Sequence, residues 1–150
     1  MVAAVLEEKF ERLYLQFRAN YYKRMVESIG TREGSLSATD SYCVEIIYLL
    51  QTPTVGQFAS FLNISVPNAV YKINSLIKKG YVTKEASPED RREYHLCVTD
   101  KFLAYYGLKD QDNANLMKNI RLQFTKEEVA QLENMIERIS KFMEQEAPLD

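Results

Sequence analysis

One stretch of the chain, residues 66–79, carries polar and basic side chains of the types that contact nucleic acid. Arranged as a helix, this stretch has an apolar side and an opposite side without acidic residues. Asparagine can pair with adenine edges, lysine with guanine or phosphate, and tyrosine and serine with phosphate. We therefore predict that this side, and the arginines that follow it, contact double-stranded DNA. The predicted contact residues are Ser65, Pro67, Asn68, Tyr71, Lys72, Ser75, Lys78, Arg91 and Arg92.

A helix that enters the DNA major groove needs a supporting helix before it and a short turn between the two. Thr54–Gln57 has the Thr-x-x-Gln spacing of a capping box and predicts a helix over residues 55–62. Asn63–Ser65 predicts a tight turn, and the second helix continues to Lys79 and ends at Gly80. This order of elements is that of a helix-turn-helix.

The start of the second helix stays open between two residues. Ser65 can cap it, or Val66 can, because Pro67 suits the first helical position and disfavours helix before it. A helical hairpin packed inside a core is the alternative interpretation of residues 54–80, since capping boxes and glycine stops are common. The residues that follow favour the DNA-binding interpretation.

Residues 81–99 change from a helical pattern to a strand pattern. Polar and apolar residues alternate over 93–99, and Tyr81–Glu85 is the expected partner strand. The polar segment between them ends in Asp90-Arg91-Arg92. A tip of this kind is usually a solvated turn by itself. Directly after a lysine-rich helix, it is where a β-hairpin wing would touch the adjacent minor groove or phosphates.

Amphipathic helices are predicted on both sides of this module. Their apolar stripes, Leu6–Ile29 and Val129–Met143, are larger than a small winged domain can cover. We therefore expect dimerisation through them, and packing of the two helices on each other within one chain is the alternative. Four further helices are predicted: 2–29, 37–51 (capped by Ser37), 99–124, and a last helix after the capping box Thr125–Glu128. The helix over residues 99–124 is expected to kink at Gly107 or within residues 109–115.

The composition excludes several classes of protein. The chain of 150 residues is 46% apolar and 27% charged, which is typical of one globular domain. Two cysteines, Cys43 and Cys97, cannot form a disulfide framework, and the single His95 leaves too few ligands for zinc. No segment approaches the ~20 apolar residues of a membrane span, and Glu7–Lys9 interrupts any signal core. We expect a cytoplasmic protein without metal, cofactor or membrane association.

Positive charge is concentrated on the module that would contact DNA. Residues 65–101 hold seven Lys or Arg and five Asp or Glu, whereas the rest of the chain holds 12 and 16. The formal net charge of the whole chain is −2. This distribution favours DNA contact at one face of an otherwise acidic protein. The sequence has no glycine-rich phosphate loop, nucleophile elbow or paired-carboxylate site, so we do not expect an enzyme.

Three segments resemble the MarR family of bacterial transcriptional regulators. They are Leu62–Ser65, Leu76–Val82, and Asp90–Thr99, which joins an Asp-x-Arg tip to a strand ending in Val-Thr. The resemblance implies a mostly α fold with a small β-hairpin wing (α+β). This fold is a winged helix-turn-helix flanked by N- and C-terminal dimerisation helices. The implied division of the single chain is 1–34 and 100–150 for dimerisation and 35–99 for DNA binding.

The resemblance also implies a homodimeric repressor that binds a pseudo-palindromic operator. Arg92 would enter the minor groove, and Asp90 would hold that arginine by an ion pair without touching DNA. Two positions depart from the family pattern. Tyr71 stands where many members have arginine, and Lys72 stands where many have an apolar residue. The base-reading pattern of well-known members therefore cannot be carried over to this chain.

Family members respond to small aromatic or amphipathic molecules bound between the dimer region and the winged domain. The resemblance thus implies a small-molecule effector. Tyrosines and cations occur on the helices that would line such a crevice. Alternatively, the tyrosines pack in the core or in the dimer interface. The candidate ligand-binding residues are Tyr14, Arg18, Tyr21 and Tyr42.

Two other functions stay open. A winged domain can be a protein–protein interaction module without DNA, because fold alone does not determine function. The acid-free side of helix 66–79 beside a basic wing favours DNA over that alternative. The second open function is that of a cysteine-based redox-responsive regulator. Cys43 is predicted on an apolar helix, where thiols are usually inert, and Cys97 is predicted on a wing strand.

Overall fold

The computed structural model describes residues 2–29, 36–105 and 111–147. Helices dominate these ranges, and two short strands form a hairpin in the middle of the chain. None of the described helices is long and apolar enough to cross a membrane. In chain order the elements are α1 (Val2–Ile29), α2 (Ala38–Leu49), α3 (Val55–Leu62), α4 (Val66–Lys78), β1 (Val82–Ala86), β2 (Tyr94–Val98), α5 (Asp100–Tyr105), α6 (Gln111–Gln123) and α7 (Lys126–Glu146).

Helix α2 begins where its cap predicts and ends earlier than expected. The Ser37 hydroxyl accepts a hydrogen bond from Asp40 N at 3.1 Å, which confirms the predicted N-cap. The helix ends at Leu49, two residues before the predicted end. Gln51 and Thr52 both have left-handed backbones, with φ of 52° and 64°. Two successive residues of this kind break the helical ladder, and Thr52 precedes a proline, which disfavours helix there.

Helices α3 and α4 form the helix-turn-helix. Both bonds of the predicted capping box are present: Thr54 N donates to Gln57 Oε1 at 2.9 Å, and Gln57 N donates to Thr54 Oγ1 at 3.1 Å. Asn63 turns the chain with a left-handed φ of 52°. The Ser65 hydroxyl then accepts from Asn68 N, so Ser65 and not Val66 caps α4.

Strands β1 and β2 form the predicted hairpin. They pair antiparallel from Val82 opposite Val98 to Ala86 opposite Tyr94. The segment before α3 extends this sheet, because Thr54 forms a bridge with His95 and Leu96 N donates to Pro53 O at 2.8 Å. The hairpin is therefore joined to the turn between α2 and α3 as well as to α4.

The hydrophobic core lies within the winged module. Apolar side chains from α2, α3, α4, both strands and α5 pack together there and are almost completely buried. By contrast, the described side chains of α1, α6 and α7 are mostly exposed. The fully enclosed core residues include Val44, Phe58, Ala69, Ile73, Leu76, Leu96 and Phe102.

The predicted helix over residues 99–124 includes α5 and α6. Residues 106–110, which contain the predicted kink position Gly107, lie outside the described residues. The Thr99 hydroxyl donates to Gly80 O at 2.6 Å, which ties the start of α5 to the end of α4. The predicted capping box at the start of α7 is confirmed by bonds between Thr125 and Glu128 in both directions.

Candidate nucleic-acid interface

Tyr71 lies near the middle of the exposed side of α4 and is 77% exposed. Four exposed residues, Pro67, Tyr71, Asn74 and Lys78, follow one another at helical spacings of four, three and four. We call this row the outer stripe. Asn74 is absent from the sequence-based prediction, although its position three residues after Tyr71 places it on the same side. The amide of Asn74 adds a hydrogen-bonding group to this row.

A second row of predicted contact residues runs along the α2 side of α4. Asn68 is exposed, whereas Lys72 and Ser75 are half-buried. Burial raises the pKa of the Cys43 thiol in α2, and the nearby Lys72 charge opposes that shift without reversing it. Lys72 therefore lies on the flank of α4 and not at its centre.

Side chains hold both ends of α4. One is Ser65, a predicted DNA contact, and the other is Lys79, which follows the predicted contact Lys78. The Ser65 hydroxyl is engaged with Asn68 N as the N-cap. At the other end, Lys79 Nζ forms a salt bridge with Asp40 Oδ2, and Lys101 Nζ donates to Lys79 O at 2.8 Å. Ser65 and Lys79 therefore position the helix, and the DNA contact of Ser65 stays a prediction.

The tip of the wing is ordered by two side chains that accept backbone hydrogen bonds. The buried Ser87 hydroxyl accepts from Glu89 N at 3.3 Å, and Asp90 Oδ1 accepts from Arg92 N at 2.9 Å. Both arginines, Arg91 and Arg92, are exposed. Asp90 therefore positions the Arg92 backbone, and an ion pair with the Arg92 guanidinium stays a prediction.

His95 joins the wing to the turn that precedes α3. Its Nδ1 lies 3.0 Å from Thr52 O, and because a carbonyl oxygen can only accept, Nδ1 carries the proton. His95 is half-buried, on the strand that also bridges to Thr54. Sequence patterns did not indicate this positioning role, because the two partners are 43 residues apart.

The two cysteines have environments that disfavour the reactive thiolate. Burial raises the pKa of the Cys97 thiol, and the neighbouring Glu85 carboxylate raises it further. Cys43 is buried, and its pKa is also raised. Among the described residues, no group of three or more His, Cys, Asp and Glu side chains could hold a metal ion.

The predicted ligand-binding residues lie on two helices. On α1 the Arg18 guanidinium lies over the Tyr14 ring, 5.6 Å from its centroid, and Tyr21 is half-buried. Tyr42 is exposed on α2. A separate cavity of about 510 Å³ lies beside the end of α2. Its lining residues are Leu49, Leu50, Gln51, Thr52, Pro53, Gln57, His95 and Glu144.

The winged module is similar to a known protein family. Residues 36–94 match the model of the MarR family. A curated relative, the uncharacterized HTH-type transcriptional regulator YkoM of Bacillus subtilis (strain 168), is 28% identical over 99 residues. That alignment covers 63% of this chain and 64% of the relative, so the match spans slightly less than two thirds of the relative's length.

Solved structures share the fold. FabT of Streptococcus pneumoniae, solved in complex with DNA, matches with a TM-score of 0.56 at 22% identity, over 93% of this chain and 98% of FabT. A mutant of MepR from a multidrug-resistant clinical isolate of S. aureus also matches with a TM-score of 0.56, at 12% identity, over 91% of this chain and 96% of MepR. The predicted fold class, a mostly helical winged helix-turn-helix with a β-hairpin wing, is confirmed.

Proposed function

We propose that this chain, whose residues 36–94 match the MarR family model, is a sequence-specific DNA-binding transcriptional regulator of that family. We further propose that it acts as a homodimeric repressor at a pseudo-palindromic operator. The observation that carries the proposal is the exposed, acid-free outer stripe of α4 beside a wing tip with two exposed arginines. The DNA complex of FabT, which has the same fold, supports it.

Each part of the interface has a distinct role in this proposal. The outer stripe of α4 enters the major groove, where side chains reach base edges. Arg91 and Arg92 contact the adjacent minor groove or its phosphates, and Lys78 contacts phosphate. Lys72, on the flank of α4, lies where a lysine would meet the phosphate backbone along the groove wall. Phosphate contacts supply affinity and register, and base contacts supply sequence preference.

The terminal helices support the homodimer. Leu6 on α1 is 72% exposed, Phe10 is 58% exposed, and Met143 on α7 is 64% exposed. Large apolar side chains exposed in this number along two helices are typical of an interaction surface. In the single chain α1 and α7 leave these side chains uncovered, which favours a second copy over packing within one chain. A dimer also presents two copies of α4 to two half-sites, about one helical turn of DNA apart.

A small aromatic or amphipathic effector completes the proposal. The pairing of Tyr14 with Arg18 on α1 offers a ring and a cation to an aromatic anion. A thermal-shift screen of phenolic and fatty acids checks this part alone. A ligand that raises the melting temperature and releases DNA supports the effector role. A flat response across the panel contradicts it without affecting the proposed DNA binding.

Selection of randomised duplex DNA by the purified full chain tests the proposed function directly. We expect an enriched inverted repeat whose affinity falls steeply with salt, because each phosphate contact releases counterions. Enrichment of a single, non-repeated site would contradict the symmetric dimer. No enrichment, with weak binding to every duplex, would contradict sequence-specific recognition and favour the protein-interaction alternative.

A further inference from the structure

We infer that α4 reads consecutive A·T base pairs in each half-site, with the Tyr71 ring on a thymine 5-methyl group and the Asn74 amide on an adenine. The inference rests on the proposed DNA binding and deepens it, because it names the bases that this chain selects. Two observations support it: Tyr71 and Asn74 are exposed at the centre of the outer stripe, and the lysines of α4 lie away from that centre.

The cations of α4 lie away from that centre. Guanine is most often read by the paired donors of an arginine or lysine that reaches its O6 and N7. Over Val66–Lys78, all of which the structure describes, Lys72 is half-buried on the α2 flank and Lys78 occupies the last helical position. Lys79 is held by Asp40 on α2. The middle of the stripe therefore presents no group suited to guanine.

The side chains that do occupy the centre suit A·T pairs. The Tyr71 ring is the most exposed large apolar surface of the described chain, at 77%. Thymine is distinguished in the major groove by its methyl group, which apolar side chains contact. The Asn74 amide has one donor side and one acceptor side, which match adenine N6 and N7.

The spacing along α4 places these two contacts on neighbouring base pairs. Tyr71 and Asn74 are three residues apart, which corresponds to a rise of about 4.5 Å along a helix. Stacked base pairs are separated by about 3.4 Å along the DNA axis. One side chain therefore reaches one pair and the other reaches the next, so a thymine and an adenine should be selected at adjacent positions.

Base analogues in the selected duplex test the two contacts separately. Deoxyuridine in place of the selected thymine removes only the methyl group, and 7-deazaadenine in place of the selected adenine removes only the N7 acceptor. We expect each methyl lost to weaken wild-type binding about fourfold, the equivalent of about 0.8 kcal/mol. Both half-sites together should give about 15-fold. Loss of N7 should weaken binding about fivefold per half-site.

Variants then assign each effect to its side chain. Tyr71→Ala should bind the thymine and deoxyuridine duplexes equally, whereas Tyr71→Phe should keep the preference for thymine. Asn74→Ala should lose the sensitivity to 7-deazaadenine. Lys78→Ala is the matched control on the same helix: it should weaken binding to every duplex and keep both sensitivities.

Four results would overturn the inference. A half-site with G·C pairs at its centre, or equal wild-type affinity for the thymine and deoxyuridine duplexes, contradicts it while leaving DNA binding intact. Loss of the preference for thymine in Tyr71→Phe also contradicts it, because phenylalanine keeps the ring. Failure to bind any duplex specifically overturns the proposed function, and this inference with it.

Discussion

Replacing Arg92 with alanine should weaken DNA binding on all sequences without altering the fold of the wing. The Arg92 side chain is exposed, and the contact that orders the tip runs from its backbone N to Asp90 Oδ1. Alanine keeps that backbone bond. The variant therefore removes a cation from the tip that we propose contacts DNA and leaves the turn in place, so a change in binding reports the lost charge.

The salt dependence of binding gives the magnitude. If Lys72, Lys78, Arg91 and Arg92 each neutralise one phosphate, a dimer neutralises eight, and the slope of log K against log salt is about −7.2. Raising salt from about 50 to 200 mM then lowers wild-type affinity about 20,000-fold. Arg92→Ala removes two of the eight contacts, so the slope becomes about −5.4 and the same change in salt lowers affinity about 2,000-fold.

Fluorescence anisotropy on a labelled operator, repeated across salt concentrations, measures both slopes. Arg121→Ala, which removes an exposed arginine from α6, is the charge-matched control and should keep the wild-type slope. Analytical ultracentrifugation of both variants checks that they have the same oligomeric state. An Arg92→Ala protein with unchanged affinity and unchanged slope would refute the assignment of this residue to the DNA interface.

Three further predictions concern stability, assembly and thiol chemistry. Thr54→Ala removes the hydroxyl that caps α3 and should lower the free energy of unfolding by about 1 kcal/mol in urea titrations; an unchanged midpoint would contradict the capping role. Phe10→Glu places a charge in the exposed apolar row of α1 and should convert dimers to monomers in sedimentation experiments; an unchanged mass would exclude that row from the interface. Because the pKa of Cys97 is raised, the thiolate fraction at pH 7 is below that of an ordinary thiol, so alkylation should be slow at pH 7 and accelerate as the pH rises towards 9. A rate that is already maximal at pH 7, with Cys97→Ser as the control, would revive the redox alternative.

The local elements were predictable because their signals are local. The capping boxes at Thr54 and Thr125 fix helix starts through side-chain bonds to backbone groups three residues away, and both were found as expected. The alternation over residues 93–99 likewise predicts the second wing strand. Caps and alternation need no knowledge of the rest of the fold, so they can be read directly from the residues.

The details of the interface depend on contacts between distant segments and could not be predicted in the same way. The end of α2 follows from the left-handed backbones of Gln51 and Thr52, which a periodic pattern does not reveal. Lys72 and Lys79 both belong to the predicted basic side of α4. Packing against α2 moves the first to the flank and pairs the second with Asp40, 39 residues away.

The bonds that join the wing to the α2–α3 turn also bear on how affinity could be regulated. His95 and Leu96 hold the backbone of residues 52–53, and Thr99 and Lys101 hold the end of α4. These ties leave few internal degrees of freedom between the wing and α4, so the two should move as one rigid body. In the proposed dimer, an effector would then act chiefly by changing the distance between two rigid winged domains, whereas the pitch of DNA is fixed.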